Sequence, residues 1–269
     1  MVELKRLTVL YMWLVHAGIR AQMQYRYGFF MNILGWMMSY AGTAVTMWVM
    51  LYEFETLAGW TFAEMLFLFA LSVFSWSFCM LLFHHFAQLD QFIVNGTFDR
   101  FLIRPLHPFF HFMTMKIEIG SIGQFLFGAG ALLWSWVALG EKWAYWQWLL
   151  FAEAIVGGAL IQGGILILTS SLAFWAFRSQ GMYWGVVWPL RMLNNYPLSI
   201  FPAPLQWMLT FLLPFAFVNY LPALLLLGKE GGVFPLFFGW LSLPVGILFF
   251  CLTYMVWMRG LQRYQSAGS

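Results

Sequence analysis

Residues 149–175 read LLFAEAIVGGALIQGGILILTSSLAFW, an apolar run whose single charge is Glu153. A helix rises about 1.5 Å per residue, so about 20 such residues cross a hydrocarbon core of about 30 Å. The stretch is long enough. It also lacks the apolar–polar alternation over about 10 residues that marks a strand of a membrane barrel. The whole chain agrees, with 62% of its residues hydrophobic and 9% charged, whereas about a quarter of a soluble domain is charged. The expected fold class is an all-α integral membrane protein.

Working outward, the hydropathy predicts six spans, at about 28–52, 62–86, 112–138, 147–176, 181–201 and 234–258. Cytoplasmic flanks are enriched in Lys and Arg. With the N-terminus inside, the inner segments hold Lys5, Arg6, Arg20, Arg26, Arg100, Arg104, Arg178, Arg259 and Arg263, and the outer loops hold Lys142 and Lys229. Lys116 and Arg191 fall within or beside spans and are left out of that comparison. Both termini are therefore expected in the cytoplasm. Trp134, Trp136, Trp143, Trp146 and Trp148 bracket LGEKWA at 139–144, as amphipathic rings at the headgroup level do, which marks that turn as an outer loop.

Before the first span, Leu4, Leu7, Leu10, Tyr11, Leu14 and Ala17 recur at helical spacing, with Lys5, Arg6 and Arg20 elsewhere on the wheel. This predicts a helix over 1–26 lying in the inner interface. A first span extended through Arg20 and Arg26 would place cations at depth, at roughly 2.5–3.5 kcal/mol each near the centre. No small-residue cleavage site follows, so the segment reads as uncleaved.

Six of the ten prolines (Pro189, Pro197, Pro202, Pro204, Pro214 and Pro222) crowd into one late stretch, where each removes a donor and disturbs the preceding turn. Lipid cannot satisfy freed backbone groups, so a broken helix at depth must be buried in protein or line a wet cavity. The expectation is a span ending near Pro197, then helices at about 203–213 and 215–227 dipping back from the outer side as a re-entrant hairpin. Two complete kinked spans would put Arg259 and Arg263 outside. The whole of 1–269 reads as a single transmembrane domain, with the interfacial helix, a cytoplasmic loop at 86–107, the hairpin at 203–227 and a last span at 234–258.

That loop is the largest on the inner side. In FAQLDQFIV, residues 86–94, Phe86, Leu89, Phe92 and Ile93 share one side of a short helix and Asp90 and Gln91 another. Gly96 ends the helix. Asp99 and Arg100 follow, and Pro105 stops a second helix after Arg104. A stiff knuckle of this kind can seat on a soluble partner and carry a push.

NGTFDRFLIRP, residues 95–105, resembles the Gly-x-Leu-Asp-x-x-Leu-x-Arg-Pro signature in the cytoplasmic loop of a branch of the type-2 ABC-transporter permeases. Gly96, Asp99, Leu102, Arg104 and Pro105 match it, and Phe98 replaces the usual leucine. The prolines of NNYPLSIFPAPLQWMLTFLLPFAFVNYLP, residues 194–222, resemble the same family's late pattern. The resemblance implies a permease subunit of an exporter for a drug, lipid or peptide in the bacterial cytoplasmic membrane. It also implies pairing with a second permease, identical or related, and two cytosolic ATPase subunits docked below. ATP and Mg would then be bound by that partner, and Leu89, Asp90, Phe92, Gly96, Asp99, Arg100, Arg104 and Pro105 would carry the coupling. Independently, no G-x-x-x-x-G-K-[ST] phosphate cradle occurs in the chain. LLLLGKE comes nearest, with Glu230 where a Ser or Thr is needed.

A net charge of +3 gives no footprint for nucleic acid. Cys79 and Cys251 fall in apolar runs and suggest neither a disulfide framework nor a zinc site. His84, His85, His107 and His111 include the H-x-x-x-H form of HPFFH, which raises the alternative of a membrane metalloenzyme. The di-iron desaturases of that class carry more histidines in several boxes than this chain has. NGT at 95–97 matches a glycosylation acceptor, but on an inner loop. A secondary transporter or channel is a second alternative, for which no internal repeat speaks. Asn32, Gln124, Glu153, Gln162, Asn194 and Asn195 are candidates to line a solute path between two subunits, or else to tie helices together by hydrogen bonds. Glu153, Lys116 and Glu118 are further candidates as charges near or within spans.

Overall fold

The computed structural model describes residues 26–115, 118–176, 180–229 and 234–264. The interfacial helix expected over 1–26 lies, apart from Arg26, outside the described residues, as do Lys116, Arg178 and Glu230. Within the described residues the chain is helical and has no β-strand. The main elements are α1 (Arg26–Phe54), α2 (Phe62–Phe83), α3 (Leu89–Val94), α4 (Pro108–Met113), α5 (Ile122–Leu139), α6 (Tyr145–Ser171), α7 (Trp188–Leu193), α8 (Ala203–Trp207), α9 (Tyr220–Leu226) and α10 (Ser242–Gln262).

Among the described residues, five helices are long and apolar enough to cross a membrane: Tyr27–Phe54, Phe62–Val94, Ile122–Leu139, Tyr145–Trp175 and Leu236–Gln262. A sixth crossing arises if Ala203–Leu212 and Phe215–Leu226, bent 77° to one another, count as one broken span. The third span starts later than the expected 112. The reason is local: residues 108–113 fold as α4, its N-terminal Pro108 at a position that has no helical N–H to lose. A break at Thr114 then separates α4 from the 3₁₀ turn Ile119–Ser121. The segment expected at 181–201 is helical over 180–193, with a π-helical turn at Tyr183–Val187. At 1.5 Å per residue that covers about 20 Å, short of a hydrocarbon core.

α2 and α6 form the centre of the bundle, with 78% and 67% of their apolar windows buried, against 11% for α1 and 22% for the last helix. Lipid tails are as apolar as leucine, so helices in a membrane associate through close packing of small residues. α6 and α10 cross with Gly246 against the Gly157 carbonyl, where an added Cβ would come within 2.7 Å. Gly128 of α5 lies against the Phe74 backbone of α2 in the same way, and Gly123 against the Ile33 carbonyl of α1.

At the end of the bundle that carries the 139–144 turn, α5 stops at Gly140, whose φ of +66° suits a residue without Cβ. Trp143 packs on Trp136 at 6.2 Å and on Trp148 at 4.9 Å, and Trp146 on Trp240 at 6.1 Å. α2 begins with Thr61 and Glu64 capping each other. Lys229 closes this end by pairing with Glu64 at 2.8 Å and donating to the Gly59 carbonyl at 2.8 Å.

The broken region at 194–227 shows where its freed backbone groups go. Asn219, fully buried, donates from Nδ2 to the Leu68 carbonyl at 3.1 Å and to the Asn194 carbonyl at 2.7 Å. Ser242 donates to the Phe217 carbonyl at 2.8 Å, Gln206 to Phe201 at 2.7 Å and Gln147 to Leu226 at 3.2 Å. Side chains do here what water does in a soluble loop, which is the condition for irregular backbone at membrane depth.

Candidate functional site

Two regions concentrate the candidate residues: the knuckle at 84–113 and a cavity among the helices, mostly apolar with a few polar groups. In the knuckle, α2 runs on through the 3₁₀ turn His84–Gln88 into α3. α3 ends at Asn95, and Gly96 takes φ +64°. The Phe92 carbonyl then accepts from the Thr97 hydroxyl at 3.2 Å and the Phe98 N–H at 3.0 Å, so the turn is closed by its own bonds. One helical turn, Asp99–Leu102, leads through Arg104 and Pro105 into α4.

The apolar side of the short helix is mostly turned into the protein itself. Phe86, Leu89 and Ile93 are buried in the protein's own core, and Phe92 is half-buried. The physical reason is an aromatic cluster that fastens the knuckle to the adjacent ends of the spans. Phe98 contacts Phe101, Phe112, Phe174 and Tyr264 at centroid distances of 5.2–6.0 Å, and Phe86 contacts Phe109, Phe112 and Trp257. Asp90 is buried, accepting from the Gln91 N–H at 2.9 Å. Asp99 accepts from the Tyr264 hydroxyl at 2.8 Å. Of the candidate coupling residues, those left on the surface are Arg100, Arg104 and Pro105, joined by exposed Val94, Leu102 and Ile103.

Arg104 Nη1 lies 3.1 Å from His111 Nε2. That bond needs the ring nitrogen as acceptor, hence a neutral imidazole. Burial and then the neighbouring Arg104 charge hold the His111 pKa below its ordinary value. The histidines do not converge: His107 meets the Tyr254 hydroxyl at 3.2 Å and His84 pairs with Glu118 at 3.7 Å. No group of three metal-ligating side chains forms among the described residues.

The second region is a cavity of about 240 Å³. Asn32 and Gln124 line it, together with His84 and Glu118 and the rings of Trp76, Tyr183 and Trp188. The other candidates lie elsewhere. Gln162 sits behind the wall, donating to Ser75 Oγ at 2.9 Å. Asn194 gives its carbonyl to Asn219, and the Asn195 amide rests 3.7 Å from the Met192 sulfur. Glu153 accepts from the Leu243 N–H at 3.3 Å where α6 crosses α10.

Gln162 also accepts from Arg191 Nε at 3.1 Å, and this residue is the one that sequence reasoning set aside. Arg191 is 3% exposed, its guanidinium 4.1 Å from the Trp76 ring centre and 5.0 Å from that of Trp188. A lone cation inside an apolar run was the available signal, since intramembrane charges are functional candidates by default.

A multi-pass helical membrane protein with a largely apolar cavity that carries a few polar groups between its helices has the form of a transport component. Residues 37–268 match the family described as ABC-2 family transporter protein. The chain belongs to that family, and is a permease of a type-2 ABC transporter. No curated protein and no solved structure matches it. Membership makes it a membrane transport component, and the family implies association with an ATP-binding subunit.

Proposed function

We propose that the chain is the membrane half of an ATP-driven exporter of amphiphilic solutes in a bacterial cytoplasmic membrane, coupled to its motor through the knuckle. The observation that carries this reading is the surface of Arg100, Leu102, Ile103, Arg104 and Pro105, presented on a base welded to the spans by Phe98 and its ring neighbours. A rigid base passes displacement to the helices it is packed on. α2 runs into the knuckle without a sharp break, so movement of the surface tilts α2 directly. Two cytosolic ATPase subunits bind ATP and Mg and grip one knuckle each. Two permease copies, identical or related, enclose the solute path.

In this topology both termini are cytoplasmic, the fifth crossing at 181–201 is completed beyond the short helix ending at Leu193 by the turn and 3₁₀ residues up to Phe201, and 203–227 is a hairpin returning to the outer face. The satisfied carbonyls of Phe201, Phe217 and Leu226 support a hairpin held in protein rather than in lipid. The test is co-purification with a cassette ATPase from the same cell. Arg100→Ala/Arg104→Ala is expected to insert normally and to lose stimulated ATP hydrolysis; unaltered stimulation rejects the coupling role. Asn95→Cys should react with an impermeant maleimide only from the cytosolic side, and labelling in intact cells inverts the topology.

A further inference from the structure

We infer that the knuckle carries a pocket for a carboxylate of the ATP-binding subunit, an Asp or Glu side chain held between Arg100 and Arg104. Such a contact presupposes that the knuckle docks on that subunit, as proposed above. The pocket is a hollow of about 280 Å³, in which Arg100 and Arg104 share the lining with Thr97, His111 and the apolar side chains of Phe92, Phe101 and Met115. Both arginines are exposed, so an incoming group can reach them. The ion pairs formed among the described residues are His84–Glu118 and Lys229–Glu64, and neither arginine takes part in one. The knuckle's own carboxylates are engaged elsewhere. Asp90 is buried and accepts from the Gln91 N–H, Asp99 accepts from the Tyr264 hydroxyl, and neither lines the hollow.

The walls are set before anything binds. Arg104 Nη1 donates to His111 Nε2 at 3.1 Å, which fixes the guanidinium against a neutral ring and leaves Nε and Nη2 to an incoming acceptor. The Phe101 ring packs on His111 at 4.8 Å and on Phe92 at 6.0 Å. The Thr97 hydroxyl is spent on the Phe92 carbonyl at 3.2 Å. Little ordering remains to be done on binding, which favours affinity. Two guanidinium groups without a counter-charge suit a carboxylate, because each fork can donate to its oxygens. Beside the arginines stand exposed Val94, Leu102 and Ile103, the last 83% exposed. Arginine is enriched in protein interfaces, and a protein segment that brings an acid to the hollow covers these aliphatic groups in the same contact.

The test uses the full-length permease with the cassette ATPase that co-purifies with it. In Arg104→Lys, and separately in Arg100→Lys, a water-soluble carbodiimide activates carboxylates, and a lysine amine in contact displaces the urea to form an amide. Peptide mass spectrometry is expected to find the new lysine joined to an Asp or Glu of the ATPase. Wild-type affinity for the ATPase should fall as salt rises, and Arg100→Gln/Arg104→Gln should bind it about tenfold less tightly. Links confined to the permease's own carboxylates overturn the pocket, as does undiminished affinity in the Gln variant. Wild-type affinity indifferent to salt overturns it without recourse to a variant. Ile103→Cys carrying a benzophenone maleimide reports contact of any chemistry and separates the two readings. Benzophenone capture of the ATPase with no carbodiimide link rejects the acidic contact and keeps the coupling role. Failure to capture the ATPase rejects both, and capture of anionic lipid in its place assigns the arginines to the membrane surface instead.

Discussion

Phe98 occupies the position where the family signature has leucine, and it is fully buried among Phe101, Phe112, Phe174 and Tyr264. Phe174 lies just past α6 and Tyr264 just past α10, so this ring holds the knuckle to two spans. Removing a buried phenylalanine side chain costs about 3–5 kcal/mol. The upper part of that range applies, since four ring contacts vanish. Leucine keeps most of the volume and should cost less than about 1.5 kcal/mol. Local opening of the knuckle should therefore rise roughly a hundredfold or more in Phe98→Ala. Amide exchange over 92–112, followed by mass spectrometry, should accelerate by that factor while the α6 core is unchanged. Stimulated ATP hydrolysis should fall with it, and Phe98→Leu should sit near wild type on both measures. If exchange at 92–112 is unaltered in Phe98→Ala, or if protection is lost equally across all spans, the weld does not exist as argued.

Three further outcomes can be checked. His111, with its depressed pKa, is neutral in the fold while the unfolded chain takes up a proton more readily, so stability rises with pH and is lost as pH falls through the ordinary histidine range. Exchange in the knuckle should thus increase from pH 7.5 to pH 5, and His111→Gln should flatten that dependence. Gly246→Val should destabilise the α6–α10 crossing by about 1–3 kcal/mol in denaturant titrations. Gly42→Ala, where an added Cβ meets nothing within 4 Å, should not destabilise the protein and should gain up to about 1 kcal/mol of helix propensity. Asn219→Ala strips the Leu68 and Asn194 carbonyls of their donor, and a loss of about 1–3 kcal/mol is expected from thermal unfolding; a neutral result would deny that Asn219 pins the hairpin to α2.

Much of the architecture was legible because hydrocarbon is an unforgiving solvent. Apolar length alone located α1, α2, α6 and the last apolar segment, Leu236–Gln262, within a few residues, and the proline pattern at 202–222 located a bend that the structure makes at 77°. Gly96 and Pro105 punctuated the knuckle as their backbone limits require. The candidate site was less legible. Period alone says that Phe86, Leu89 and Ile93 share a face, but not whether that face meets a partner or the protein's own spans. Asn32 and Gln124 share a cavity, whereas Glu153 and Asn195 do not join them.

The sequence by itself determined that this is a helical membrane protein, where its chain turns, and which family its loop resembles, because each of these follows from local composition and spacing. Only the tertiary structure decided that Arg191, rather than the flanking asparagines, is the charged centre of the interior. A cation's role depends on what lies across from it, and Trp76, Gln162 and Arg191 come from three segments that only packing brings together.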